Sequence, residues 1–385
     1  MQSADGDVRM DISSGLEDVY IKHTGLTSID GEKGILRYRG YNINDLVEHS
    51  TFEEVAYLML YGELPTSEQL RTFKNSVEKG YLLPDYVKQI ISSMPREAEA
   101  LSVYMTAFAA MSASESNFKW SPQTDKAKAA EIIGHAASVV ANANRHSMGL
   151  QLRDLAPSDS YARSFLEAAL DRKAEQGEVR VMDRALILYL DHEVPASTTA
   201  ALVACSTLSD MYSSIAAAIA ALKGPLHGGA AESAYTQFAR IGSPEKVDAW
   251  FNENIVEKKQ KLMGFGHRVY KTYDPRMKIF KKMATDIVKR DEDRNILLTA
   301  EKLEERGVEQ FGAKHVYPNT DYYSGIAYRA VGFPVNMFTA LFALSRTTGW
   351  VAHISEYNES EPRIMRPRAL YKGPGPRDLA PVSHH

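Results

Sequence analysis

Residues 196–222 read Ala-Ser-Thr-Thr-Ala-Ala-Leu-Val-Ala-Cys-Ser-Thr-Leu-Ser-Asp-Met-Tyr-Ser-Ser-Ile-Ala-Ala-Ala-Ile-Ala-Ala-Leu. Small and apolar residues cover every face of the helix this run would form, and Asp210 is the main interruption. A helix apolar all round belongs in the middle of a fold. The run is too polar to span a membrane, so the reading is one long central helix packed on nearly all sides. Phe338 to Ile354 reads as a second such helix. The small residues on both let neighbouring backbones approach closely.

Working outward, the helical signals continue. Thr51 with Glu54 forms a capping box ahead of Val55, Ala56, Leu58 and Met59, with Gly62 as the stop. Thr66 with Gln69 repeats the pattern and ends at Gly80. Ser243-Pro244-Glu245 combines an N-cap, a proline at the first helical position and an acid in the first turn. That helix is expected to run to about Met263, where Gly264 and Gly266 break it. Only residues 17–45 look β-like, with Val19-Tyr20-Ile21 and Ile35-Leu36-Arg37-Tyr38 flanking a turn at Asp30-Gly31. No repeat, low-complexity tract or alternating βαβ pattern is present. The expected class is all-α, mostly helical, with a short N-terminal β-like segment. Glycine-flanked joints at Lys223-Gly224-Pro225 and Gly332-Phe333-Pro334 suggest a small domain, 224–333, inserted between the two parts of a large one, 1–223 and 334–385.

The chain of 385 residues is long enough for both domains to bury a core. Its formal net charge of -4, with no basic stripe, argues against nucleic acid as the main partner. Cys205 stands alone in an apolar run, so it reads as a small buried side chain rather than a reactive thiol, and it suits a reducing cytoplasm. The polar stretch Met1 to Asp11 lacks the apolar core of a secretory signal. No uninterrupted apolar stretch of about 18 residues occurs, so no membrane span is expected. The terminal His384 and His385 look like a tag remnant and carry no functional weight here.

Four segments concentrate His, Asp and Arg beside glycine or proline: residues 191–198, 222–230, 264–276 and 316–325. His227 lies between Gly224-Pro225 and Gly228-Gly229, ahead of a helical pattern starting near Ala230. At a helix start the positive end of the dipole disfavours imidazolium. A neutral His there can donate to a carbonyl turning into an enolate, or it is a loop histidine satisfied by an ordinary hydrogen bond. His267 follows Gly264-Phe265-Gly266 and precedes Arg268, Lys271 and Arg276. Backbone N–H groups exposed by the glycines can hold a polyanion, or the loop is simply solvated. Gly264-x-Gly266 lacks the third glycine and preceding strand of a dinucleotide fingerprint. Asp321 follows Pro318-Asn319-Thr320 at a helix start, where a carboxylate is also the ordinary N-cap. Asp191-His192-Glu193 has no second His at helical spacing, so it is weak as a zinc motif.

In this order the four segments resemble the citrate synthase family. The Gly-Pro-Leu-His-Gly-Gly-Ala run at 224–230 and the Gly-Phe-Gly-His run with Asp-Pro-Arg at 264–276 are specific to it. Pro-Asn-x-Asp-x-x-Ser-Gly at 318–325 is nearly so, and the likeness extends from Gly25 to Arg368. The resemblance implies a two-domain citrate-synthase fold and a homodimer, with the site between the domains. It implies condensation of acetyl-CoA with oxaloacetate, then thioester hydrolysis. It makes Asp321 the base, His227 the enol stabiliser and His267 the group that polarises the ketone. His192, Arg276, Phe342 and Arg346 match the oxaloacetate site, to which Arg366 comes from the partner subunit. Lys271 sits near the family's CoA phosphate contact, beside Gly264 and Gly266. No cofactor and no metal is implied. Arginine suits a substrate with two carboxylates, which its planar fork binds bidentately.

One departure from the family pattern is Pro195, where many relatives carry Asn. A hydrogen bond near the site is lost or replaced, with Ser197 a candidate. The nearest alternative reaction is 2-methylcitrate synthesis from propionyl-CoA, one methylene away. Two alternatives of other classes are a metal-dependent lyase or hydrolase using His227, His267 and Asp321, and a catalytically inactive binding protein on the same fold.

Overall fold

The computed structural model describes residues 12–114, 122–360 and 363–378. The Met1 to Asp11 stretch and the His384–His385 pair lie outside them. Among the described residues there are sixteen α-helices. The first eight are α1 (Ile43–His49), α2 (Phe52–Tyr61), α3 (Ser67–Lys79), α4 (Asp85–Ser93), α5 (Ala100–Ser112), α6 (Pro122–Ser147), α7 (Tyr161–Leu170) and α8 (Gln176–Tyr189). The rest are α9 (Ala196–Cys205), α10 (Met211–Leu222), α11 (Ala230–Ile241), α12 (Val247–Phe251), α13 (Pro275–Ile287), α14 (Asp291–Phe311), α15 (Asp321–Val331) and α16 (Phe338–Glu359). The fold is all-α, with one small sheet near the N-terminus.

That sheet is antiparallel, β1 (Thr27–Asp30), β2 (Ile35–Tyr38) and β3 (Tyr41–Asn42) in order, with Thr27 opposite Tyr38 and Asp30 opposite Ile35. The expected strand at Val19-Tyr20-Ile21 does not form. Side chains dock this segment instead: Lys22 Nζ, Thr24 Oγ1 and the Gly25 N–H all donate to the Glu356 carboxylate on α16. The β1–β2 turn braces a distant loop. Lys271 N–H donates to Gly31 O at 3.0 Å. A Cβ on Gly31 would lie 2.2 Å from Val269 O, so only glycine fits there.

Both capping boxes form as read, on α2 with Thr51 and Glu54 and on α3 with Thr66 and Gln69. Gly62 ends α2 at φ 96°. The 196–222 run, however, is two helices. Leu208 adopts φ 66° and is exposed, while the Asp210 carboxylate accepts from Ser213 N–H and caps α10. Ser206 and Thr207 hydroxyls turn back to the carbonyls of Val203 and Ala204, which closes α9. The helix expected to reach Met263 also stops early. A 3-10 turn at Pro244–Lys246 leads into α12 and then a π-helical turn at Asn252–Glu257. Past the buried Ile255 the exposed run Glu257-Lys258-Lys259-Gln260-Lys261 offers no apolar face to bury, and Lys259 turns to φ 53°.

Helix α16 runs five residues beyond Ile354, to Glu359, and is buried along nearly its whole length against α2, α5, α6, α8, α9 and α10. Cys205 is buried and donates to Asn358 Oδ1; burial pushes its thiol up to about 12. Among the described residues no single helix is long and apolar enough to cross a membrane.

Gly349, mid-α16, lets the helix touch the 190–191 backbone. A Cβ there would lie 2.3 Å from Leu190 O and 2.7 Å from Asp191 Oδ1. Gly349→Ala is expected to destabilise the protein by about 1–3 kcal/mol through overpacking. Urea melts of both proteins test this, and equal midpoints would mean the helix slides freely.

Candidate active site

The 264–267 and 316–321 loops meet the turn after α10, the ends of α8, α9, α13 and α15, and the middle of α16. The 264–267 loop is pinned to the 316–321 loop by Gly266 N–H to Tyr317 O (2.9 Å), Asn319 N–H to Gly264 O (2.9 Å) and Asn319 Nδ2 to Gly266 O (2.9 Å). Gly264 and Gly266 reach φ 77° and 84°, which suits glycine. The Gly266 N–H, expected to be exposed for an anion, is therefore engaged within the protein. Lys271 is exposed beyond this loop.

His267 Nδ1 accepts from the main-chain N–H groups of Val269 (3.0 Å) and Tyr270 (3.3 Å). An amide is always a donor, so the ring proton sits on Nε2. Burial, reinforced by the Arg276 charge, pushes this imidazole down to about 4. Its ring lies 5.1 Å from that of His192, whose Nε2 is 3.1 Å from the Tyr270 hydroxyl. His192 is held well below the usual imidazole range by burial and by Arg276.

His227 has the opposite tautomer. It sits in the turn after α10, three residues before α11 rather than at that helix's start. The helix end that faces it is that of α9: Ser197 N–H donates to His227 Nε2 at 3.2 Å. First-turn amides have no partner inside their own helix, so the ring nitrogen satisfies one of them. The proton is on Nδ1. Burial, followed by the Arg346 charge, pushes this ring down to about 4 as well. Ser197 Oγ also lies 2.9 Å from Nε2 and accepts from Trp350 Nε1. Ser197 thus supports His227 beside Pro195, which begins α9 with no side-chain cap.

Asp321 is the first residue of α15, yet it does not cap the helix. Its N–H donates to Asn319 Oδ1, and its Oδ1 accepts from the Tyr189 hydroxyl at 2.6 Å. Burial pushes the carboxyl above the ordinary carboxylate range, against the pull of that hydrogen bond. The capping alternative for Asp321 is set aside, because the carboxylate faces α8.

The two arginines differ. Arg276, buried, is bidentate on Asp274, with Nε at 2.9 Å and Nη2 at 2.7 Å. Asp274 also caps α13 through Arg276 N–H. Arg346 is equally buried, but among the described residues it forms no ion pair. Its Nε donates to Tyr189 O at 2.8 Å, and its guanidinium lies 4.7 Å over the Phe342 ring. Burial lowers its pKa to about 10. Phe342 also packs against Tyr189 and His227. Arg366 lies exposed in the C-terminal segment and is not brought to this cluster within one chain.

Sequence reading missed two groups. Tyr189 ends α8 and touches Asp321, Arg346 and Phe342. His353, fully buried on α16, donates from Nε2 to Asp191 at 3.2 Å, while Lys22 Nζ donates to its Nδ1 at 3.3 Å. Burial works against the Asp191 charge, but His353, Arg346 and the Thr27 hydroxyl hold its carboxyl below the ordinary range. Both sit in apolar runs. Their only cue was helical spacing to His192 and Arg346: Tyr189 is three residues before the first, and His353 seven after the second.

The family model for the C-terminal domain of citrate synthase matches residues 15–368. The chain belongs to the citrate synthase family. Among citrate synthases, that of Thermoplasma acidophilum is 56% identical over 377 residues, covering 97% of this chain and 98% of that protein. The enzyme of Saccharolobus solfataricus is 58% identical, covering 94% and 96%. A solved structure of the Thermoplasma acidophilum citrate synthase, in ternary complex with carboxymethyl coenzyme A and oxaloacetate, superposes with a TM-score of 0.94 at 56% identity, covering 97% of this chain and 99% of that one. The Pyrobaculum aerophilum citrate synthase superposes at 0.90 with 42% identity, covering 96% and 95%. The family fold thus accounts for nearly the whole chain, including all four motif segments.

Proposed function

We propose that this citrate synthase family member condenses acetyl-CoA with oxaloacetate and hydrolyses the thioester to citrate and CoA. One observation supports this chemistry: His227 and His267 keep opposite ring nitrogens for main-chain amides, and both, with Asp321, belong to one cluster of side chains around Arg276, Phe342 and Arg346. The acetyl α-proton is weakly acidic, so its removal needs a base and a donor acting together. Asp321 takes the proton. His227 Nδ1–H stabilises the oxygen of the enol that forms. His267 Nε2–H polarises the oxaloacetate ketone as the new C–C bond closes. Water then cleaves the thioester.

Arg346, His192 and the free edge of the Arg276 fork bind the two carboxylates over Phe342. Arg366 completes the site from a second copy of the chain, in a homodimer. Lys271, beside the Gly264–Gly266 loop, meets CoA. Residues 224–333 act as a smaller lobe hinged at the two glycine joints. The reaction as written needs no metal or redox cofactor, since acetyl-CoA is itself a substrate.

Thiol release with oxaloacetate and acetyl-CoA tests this, with propionyl-CoA as the comparison. A higher kcat/KM for acetyl-CoA is the expected result; the reverse would make the product 2-methylcitrate. Arg346→Ala is expected to weaken oxaloacetate binding by about 1.5–3 kcal/mol, the scale of a hydrogen bond to a charged group. Titration calorimetry reads this, and an unchanged affinity would remove Arg346 from the carboxylate site.

A further inference from the structure

We propose that Tyr189 is a positioning residue for the base: it holds one oxygen of Asp321 so that the other receives the substrate proton. The proposal rests on the reading of Asp321 as that base.

The geometry is specific. Tyr189 has one hydroxyl proton and two oxygen neighbours, Asp321 Oδ1 at 2.6 Å and Ser324 Oγ at 2.8 Å. A charged acceptor at the shorter distance takes the proton. The Ser324 hydroxyl then donates back to the Tyr189 oxygen. Oδ1 is occupied, and Oδ2 is left as the basic oxygen. When the C–H bond breaks, its proton goes to Oδ2 and its electron pair forms the enol double bond. Tyr189 keeps its own proton throughout, consistent with a phenol raised well above its usual range by burial and by Asp321.

The same residue is fixed on its other sides. Its carbonyl accepts from Arg346 Nε, and its ring packs against Phe342 and Phe280 at centroid distances of 4.6 and 5.2 Å. Tyr189 therefore refers the carboxylate on α15 to the helix that bears Arg346. The charges acting on Asp321 are Arg276 and Asp274 at the start of α13 and Arg346 on α16; Tyr328 lies along its own helix. Two acids on the other packed helices are engaged elsewhere. Glu232 of α11 accepts from Thr339, and Glu304 of α14 accepts from Tyr323 and Lys281. On α8, Tyr189 is the donor that faces the carboxylate.

Tyr189→Phe tests the proposal, with kcat and kcat/KM followed across pH. Losing a hydrogen bond to a carboxylate makes that carboxylate easier to protonate, so the acid limb should move up by about one to two pH units. Plateau kcat should fall roughly tenfold or more. Oxaloacetate KM should stay within about twofold, because Arg346 is bonded to the main chain of residue 189. A wild-type plateau with an unmoved limb would show Tyr189 to be core packing only. Should Tyr189→Phe fail to fold, Ser324→Ala replaces it, with a smaller upward shift expected and an unmoved limb overturning the proposal. Asp321→Asn is run alongside. A wild-type rate there removes the base and this inference with it. A loss there, beside an unaffected Tyr189→Phe, removes this inference alone.

Discussion

Asp321→Asn is expected to fold as the wild type does and to lose roughly 10²–10⁴ in kcat. The amide has nearly the shape of the carboxylate, and its oxygen can still accept from Tyr189, so that hydroxyl keeps its partner. The start of α15 is also untouched, because Asp321 uses its main-chain N–H, not its side chain, to bond Asn319. What disappears is the capacity to take a proton from carbon. On the proposed assignment oxaloacetate is held by other side chains, so its binding should change little. Thiol release at saturating substrate, beside a thermal melt, separates the two effects. A rate near wild type would exclude Asp321 as the base, and a collapsed melting curve would make it structural.

His227→Ala should cost about 10²–10³ in kcat, the usual effect of removing one preorganised donor to a developing oxyanion. It should also suppress exchange of acetyl protons with solvent, since enol formation precedes attack on the ketone. A comparable change at His267 would spare that exchange if His267 acts only on oxaloacetate. Exchange surviving intact in His227→Ala would refute the assignment. The pH dependence has a definite sign. Both rings are pushed down to about 4 in the fold, against about 6.5 in the unfolded chain. Above pH 6.5 neither state binds the proton and these groups leave stability unchanged. As pH falls from about 6.5 towards 4, the unfolded chain protonates first and stability is lost. The donors themselves stay mostly neutral until the pH nears 4, so on the proposed assignment activity lost earlier in that window points to Asp321 or to unfolding.

How much of this was legible depends on how local each signal is. The capping boxes at Thr51 and Thr66 were readable because the groups that satisfy one another lie within four residues. The break between α9 and α10 was not. Ser206, Thr207 and Leu208 look permissive of helix, and no glycine announces the positive φ at Leu208. Asp210 was visible as an interruption, but its meaning as a cap comes from the chain's turn there. The end of the helix after α12 was misread because the Gly264–Gly266 stop is obvious, whereas loss of an apolar face after Ile255 is a tertiary matter. At the site, His227, His267 and Asp321 stood out only through the order of their motifs; each alone has an ordinary structural explanation. The capping explanation of Asp321 failed because the carboxylate's partner, Tyr189, is 132 positions away in sequence. Tyr189 and His353 stayed hidden inside apolar runs, where a polar tip looks like core.

The two imidazole tautomers are set by main-chain amides at Ser197, Val269 and Tyr270, not by carboxylate partners. This changes what the lineage can vary. Any side chain at positions 269 and 270 that preserves the loop's path leaves the ring proton of His267 where it is. Only proline, which brings no amide hydrogen, removes the instruction outright. The donor pattern is thus inherited with the shape of the backbone.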